Sequence, residues 1–184
     1  MLKLKLHPSP QLFSPRLKLR AVTNNDAAEI YAMRSNEEVM KYIDRPLPAS
    51  VTEVDEWINK VDLLQQKNES ILWAITLQDS DTLIGTIGYW RMLPEHYRAE
   101  IGYMLNPAYQ GKGLMSEALN MVIQYGFNNI GLHSIEANAN PANQASIKLL
   151  EKTGFVREGY FKENYYFNGN FLDSAIYSLI CSKK

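Results

Sequence analysis

Met104-Leu105-Asn106-Pro107-Ala108-Tyr109-Gln110-Gly111-Lys112-Gly113-Leu114-Met115-Ser116 is the stretch on which the fold turns. Before it, Ala99 to Leu105 reads as a strand. After it, Leu114, Ala118, Val122 and Tyr125 recur at helical spacing, which predicts a helix from about Lys112 to Phe127. A short turn that opens a helix leaves several backbone N–H groups without helical partners, all pointing one way. They coincide with the positive end of the helix dipole, so the place suits a phosphate. Gly111 and Gly113 lack Cβ atoms, which lets a ligand approach the backbone closely. The alternative is a tight turn that holds nothing.

Downstream, His133 to Ala139 reads as a strand. Asn140 then reads as an N-cap with Pro141 at the first helical position. Ala142, Ala145, Leu149 and Leu150 form the buried face of that helix, and Gly154 ends it. Gly159 to Phe167 and Phe171 to Cys181 make a closing hairpin around Asn168-Gly169. Upstream, Ile71 to Leu77, Leu83 to Met92 and Ala99 to Leu105 are three consecutive strands. Arg16 to Val22 alternates apolar and basic residues as a half-buried strand. A helix follows Thr23-Asn24-Asn25-Asp26, and a longer one starts at the Ser50/Glu53 capping-box pattern. Residues 1–15 hold Pro8, Pro10 and Pro15 and read as an N-terminal extension, either an edge strand through Leu2, Leu4 and Leu6 or a mobile arm. The order is strand, two helices, three strands, helix, strand, helix, two strands. That predicts one α/β domain over residues 16–184, with a mixed, mostly antiparallel sheet of six to seven strands and four helices.

Composition narrows the function classes. Hydrophobic content of 46% and charged content of 21% are ordinary for a soluble globular chain of 184 residues. A net charge of −1 gives no field that would attract nucleic acid or an anionic membrane. No apolar run of about 18 residues exists, so no membrane span is expected. The single Cys181 suits a reducing cytoplasm. His7, His96 and His133 lie far apart and show no metal-ligand spacing, so no metal is expected.

Four features, in order, resemble the GNAT superfamily of acetyl-CoA-dependent N-acetyltransferases, most closely the branch of ribosomal-protein-alanine N-acetyltransferases. They are Gln110-Gly111-Lys112-Gly113 between strand and helix, the Ala99–Leu105 strand leading into it, Asn143-Gln144-Ala145-Ser146-Ile147 with Glu151-Lys152-Thr153-Gly154-Phe155, and the opening Arg16–Arg20 with the late Asn168-Gly169 and Asp173. The resemblance covers about residues 16 to 181. Met115 departs from it where Gly or Ala often stands. Leu150 departs from it where many members carry a Tyr proton donor, and Ser146 is the natural replacement in this branch.

The resemblance implies direct transfer of acetyl from acetyl-CoA to a primary amine, without a covalent enzyme intermediate. It implies that Gln110, Gly111, Lys112, Gly113, Leu114, Met115 and Ser116 hold the CoA pyrophosphate, mainly through backbone N–H groups. It also implies that the strand ending at Leu105 splays from the 133–139 strand, with pantetheine in the gap against Met104 and Leu105. Acetyl transfer needs an amine freed of its proton, a polarised carbonyl and a donor for the departing thiolate. Glu100 is the base candidate or else half of a structural ion pair. Ser146 is the thiolate donor or else a helix serine bonded to an upstream carbonyl. Asn143 and Asn138 would tie the pantetheine arm, Asn143 alternatively holding the strand-to-helix junction. Tyr103, Tyr165 and Tyr166 either line the acceptor site or pack as aromatics. Residues 21–70 hold ten Asp/Glu against five Lys/Arg, so an acidic lining and a cationic acceptor, such as a protein N-terminus or polyamine, are expected. A non-catalytic acyl-CoA sensor or scaffold is the alternative reading. A homodimer is compatible with the tail and the closing hairpin.

Overall fold

A computed structural model describes residues 1–182. Alternating apolar positions make Leu17–Ala21 a strand (β2), and the short strand Leu12–Phe13 (β1) folds back along it. Thr23 and Asp26 form a capping box ahead of Ala27–Arg34 (α1). Asn36 caps the one-turn helix Glu37–Met40 (α2) by accepting the amides of Glu38 and Val39. Ser50 accepts the Glu53 amide and opens Val51–Gln66 (α3), whose buried stripe is Val54, Ile58, Val61 and Gln65. The chain continues through Ile71–Leu77 (β3), Gly85–Leu93 (β4), Arg98–Leu105 (β5), Leu114–Tyr125 (α4), Ser134–Ala139 (β6), Gln144–Lys152 (α5), Val156–Phe167 (β7) and Asn170–Ile180 (β8). Asn168 and Gly169 both take positive φ at the tip between β7 and β8, as a two-residue hairpin turn of this kind requires.

The strands form one eight-stranded sheet in the order β1-β2-β3-β4-β5-β6-β8-β7. Every neighbouring pair is antiparallel except β5 and β6. On one face Trp73, Ile75, Ile87, Tyr89 and Ile101 pack with Leu114, Ala118, Leu119 and Val122 of α4. On the other, Ala74 and Leu83 pack with Ile30 and Met33 of α1 and Val54 and Ile58 of α3. Burying each large apolar side chain in this way stabilises the fold by about 1.5–3 kcal/mol. The Tyr89 hydroxyl donates to the Val122 carbonyl at 2.8 Å, which fixes α4 along the sheet. Among the described residues no helix is long and apolar enough to cross a membrane.

The structure corrects the expected architecture in four places. The sheet has one strand more than expected, because Leu12–Phe13 forms the edge. Leu2, Leu4 and Leu6 make no edge strand and no loose arm. Leu6 is buried in the core, its amide donates to Asn68 Oδ1 and its carbonyl accepts from Gln65, while Leu2 and Leu4 pack alongside. The one-turn α2 is a fifth helix, too short to show a period. Finally, α5 begins at Asn143, not Asn140: the Asn143 side chain accepts the Ser146 amide and caps the helix, whereas Asn140 accepts the Ala142 amide within a preceding turn.

Candidate active site

One parallel pairing in an otherwise antiparallel sheet creates the site. β5 and β6 share only the rungs Arg98–Ser134, Ala99–Ile135 and Glu100–Glu136, then separate. From Ile101 onward β5 has a ladder partner only in β4. The gap opens into a cleft of about 1940 Å³ that runs past the start of α4, the start of α5 and the inner side of α3.

The loop into α4 supplies the first wall. Gly111 and Gly113 have φ of +72° and +75°, conformations that suit glycine. A Cβ on Gly111 would meet nothing within 4 Å, and one on Gly113 would meet only the Arg16 side chain at 3.7 Å, so both open onto free space. Gly113 stands at the N-cap and α4 has no side-chain cap. Among the described residues, the amides of Gly113, Leu114, Met115 and Ser116 donate to no other protein group. Leu114 and Met115 bury their side chains in the core, so the size of Met115 is taken up by packing under the loop. Ser116 lines the cleft.

The loop's own side chains brace it. Gln110 donates to the Leu105 carbonyl at 3.2 Å, tying the turn to the end of β5. The Lys112 ammonium turns back to the Ala108 carbonyl at 2.9 Å, over the Tyr109 ring, and does not line the cleft. A clamp from the N-terminal segment completes the loop, and the sequence reading did not single it out. Arg16 pairs with Glu117 at 2.5 Å and donates to the Lys112 carbonyl at 3.0 Å, while Ser14 donates to Glu117 at 2.6 Å. Burial raises the Glu117 carboxyl, but the bonds from Ser14 and Arg16 outweigh it and hold the group below its usual range.

The second wall is β5 with the first turn of α5. Tyr103 and Ser146 share a hydrogen bond of 2.8 Å between hydroxyls, across 43 residues of sequence. Burial pushes the Tyr103 phenol up to about 12, against the opposing pull of Ser146, so it stays protonated. The pair lines the gap, and Asn143 holds the Ser146 amide. Asn138 lines the same gap from β6. Leu150, which stands where the resemblance would place a tyrosine donor, is fully buried. Tyr165 lines the cleft, whereas Tyr166 lies outside it, exposed and tilted against Phe171.

Glu100 projects with Gly102 and Met104 from the β5 face opposite the main core. Its carboxylate lies 3.2 Å from the exposed guanidinium of Arg91, yet Oε2 is buried without a hydrogen bond. The neighbouring Glu136 is taken up by Arg98. Trp90 lies over Gly102, where a Cβ would come within 2.5 Å of the indole nitrogen. Thus Gly102 is the gap that lets Trp90 form the floor beside Glu100. Among the described residues no group of three His, Cys, Asp or Glu side chains could hold a metal ion.

These features define an acyl-CoA cleft. Uncapped helix amides beside two open glycines suit a pyrophosphate, and strands with a half-paired edge suit the amide-bearing pantetheine arm. Comparison with known proteins gives the same class. The family model for the acetyltransferase (GNAT) domain matches residues 16–156. The N-acetyltransferase YoaA of Bacillus subtilis (strain 168), itself described as uncharacterized, is 38% identical over 171 residues, covering 93% of this chain and 97% of the relative. The [ribosomal protein uS5]-alanine N-acetyltransferase of Escherichia coli (strain K12) is 28% identical over 94% of this chain and 91% of the relative. Among solved structures, the spermidine N-acetyltransferase of Vibrio cholerae in complex with CoA and spermine superposes with a TM-score of 0.81 at 26% identity, covering 91% of this chain and 96% of that one. The chain belongs to the GNAT acetyltransferase family. It is an acetyl-CoA-dependent N-acetyltransferase, with acetyl-CoA as its co-substrate.

Proposed function

We propose that the protein moves acetyl from acetyl-CoA to a primary amine, either a protein N-terminal α-amine or a small-molecule amine, by direct attack between Glu100 and Ser146. Acetyl-CoA supplies an activated thioester. The amides of Gly113 to Ser116 hold its pyrophosphate, and Asn138 with the free edge of β5 holds the arm. Glu100 takes the proton that the attacking nitrogen must lose, directly or through a water. Ser146 donates a hydrogen bond to the departing sulfur, which leaves as a thiolate while the amine proton stays on Glu100 or its water. Tyr103, protonated throughout, donates to Ser146 Oγ and leaves the serine hydrogen aimed at the sulfur. The observation that carries the reading is the Ser146–Tyr103 hydrogen bond set in the β5/β6 gap, facing the same cleft as Glu100.

A base and a donor in one cleft favour an enzyme over a silent acyl-CoA sensor. The acceptors for which relatives are named, spermidine and the uS5 alanine, bracket the amine class without choosing within it. The decisive assay incubates the protein with acetyl-CoA and a broad amine panel and follows free thiol. Acceptor-dependent thiol release is expected. CoA binding without release on any amine would leave the sensor reading in place.

The same reading places the chain in the cytoplasm, where acetyl-CoA and a free Cys181 are both at home. It also pairs the chain with a second copy along the edge strand β7. The support is the exposed apolar side chains along that strand, Val156, Tyr160 and Phe161, with Tyr166 tilted against Phe171 at the hairpin tip. Sedimentation at micromolar concentration should give a dimer, and a monomer would remove this part.

A further inference from the structure

We propose that the acceptor end of the cleft is an anion-reading pocket, and that the amine acetylated carries a carboxylate or phosphate group. The proposal rests on the acetyl-transfer reading of the same cleft. The acidic lean of residues 21–70 does not reach the cleft wall. Of the charged residues in that segment, Arg34, Arg45, Lys60 and Lys67 line it, against Asp44 and Glu69. Glu37, Glu38, Glu53, Glu56 and Asp62 are exposed elsewhere. The expected acidic lining is therefore corrected to a basic one.

Arg34 is the centre of this wall. Its guanidinium stacks on the Trp57 ring, 4.4 Å from the centroid. Among the described residues it has no carboxylate partner and no hydrogen bond. It is half-buried, and loss of solvent, with the charge of Arg45 added, pushes it below its usual range. Its place in the last turn of α1 suits the helix dipole, but the dipole does not call for a ring beneath it or a second arginine nearby. Seated over the ring, the guanidinium is held in place while its N–H donors have no partner among the described residues. Two arginines that repel each other in a half-dry wall are an arrangement an anion relieves, through charge-assisted and often bidentate bonds. Asp44, whose carboxyl burial pushes up and the nearby charge of Arg45 pulls down, forms no ion pair with Arg34. Glu100 lies in the same cleft. An acceptor with its amine toward Glu100, which Arg91 already pairs, has its anion met by the unpaired cation of Arg34, whereas a polyamine meets like charge there.

The test uses matched acceptors at constant ionic strength: phosphoethanolamine against ethanolamine, and alanyl-alanine against alanyl-alaninamide, with spermidine as the polycation. Calorimetry on the CoA-bound protein reads acceptor binding, and thiol release reads transfer. The anionic member of a pair should be favoured by about tenfold or more, with the phosphate and carboxylate pairs telling which anion fits better. Arg34→Gln should collapse that ratio toward one while the CoA-induced rise in melting temperature is kept. Equal binding within both pairs, a preference for spermidine, or an Arg34→Gln ratio like the parent's would each overturn the proposal. Those results leave acetyl transfer intact if thiol is still released. Thiol release absent for every amine would instead sink the transfer reading, and the binding ratio would still decide this one.

Discussion

At the scale of single residues, the sequence shows which side chains to watch but not which of them touch. Ser146 and Glu100 are legible from the motifs. Tyr103 reads only as one aromatic among several, because its bond to Ser146 needs β5 and α5 brought together by the whole sheet. That bond makes a sharp expectation. Ser146→Ala should slow transfer while sparing CoA affinity, and Tyr103→Phe should lower kcat by about tenfold, some 1.4 kcal/mol, a typical value for one catalytic hydrogen bond. Steady-state kinetics with CoA titrations separates the two effects; an unchanged kcat in Tyr103→Phe would leave the phenol a packing group. The phenol's titration gives an independent check. Its folded value, raised to about 12 by burial, exceeds the ordinary one near 10. The stability this represents is complete below about pH 10 and is lost as pH rises toward 12, because the unfolded chain ionises first. Thermal melts should therefore fall more steeply over that window for the parent than for Tyr103→Phe. Parallel slopes would show that Tyr103 is less enclosed than the geometry indicates.

At the scale of elements, the strand-turn-helix around Gly111 and Gly113 is read correctly, since positive φ, an uncapped helix start and the apolar period all leave marks in the sequence. Its bracing is not legible. Arg16 looks like one of three alternating basic residues on β2's approach, and only the fold brings it against Glu117 and the Lys112 carbonyl. The helix start at Asn143 is misread for a related reason: Asn140-Pro141 and Asn143 both have capping composition, and the turn geometry after β6 decides between them. The clamp supports the loop from behind, so Glu117→Gln should weaken CoA by roughly 1–2 kcal/mol, a five- to thirtyfold rise in Kd, with little change in melting temperature. Because the Glu117 carboxyl lies below its usual range, the clamp is complete above that range and is lost as pH falls through the depressed value. CoA binding by the parent should accordingly weaken in acid more than binding by Glu117→Gln does. A second element-scale expectation concerns Arg20 and Asp26, paired at 2.6 Å with Asp26 buried beneath the Thr23 cap. Asp26→Ala strands the arginine and the cap together and should cost about 3 kcal/mol of stability in denaturant unfolding.

At the scale of the whole molecule, the net charge of −1 describes no surface in particular. Helical period sorts the charges: Trp57, Lys60, Val61 and Leu64 form the stripe of α3 that reaches the cleft, continued by Lys67 at its C-cap, while Glu56 and Asp62 fall off it. Counting residues 21–70 in bulk averages over those faces and gives the wrong sign for the lining. The spacing of 57, 60, 64 and 67 was the signal that could have corrected it. The consequence is a local positive field in a near-neutral protein, and such a field has a salt signature. With acetyl-CoA saturating, its own electrostatics drop out of the acceptor's kcat/KM. Raising salt from about 20 to 300 mM shortens the screening length from roughly 20 Å to about 6 Å, inside the span of the cleft. The kcat/KM for phosphoethanolamine should then fall several-fold, that for ethanolamine should hold or rise slightly, and Arg34→Gln should flatten the phosphoethanolamine curve toward the ethanolamine one. The comparison reads charge at the acceptor end alone, since both amines present the same reacting nitrogen to Glu100. Curves that coincide for the two acceptors in the parent protein would mean that the basic wall of α1 and α3 does not face the bound amine.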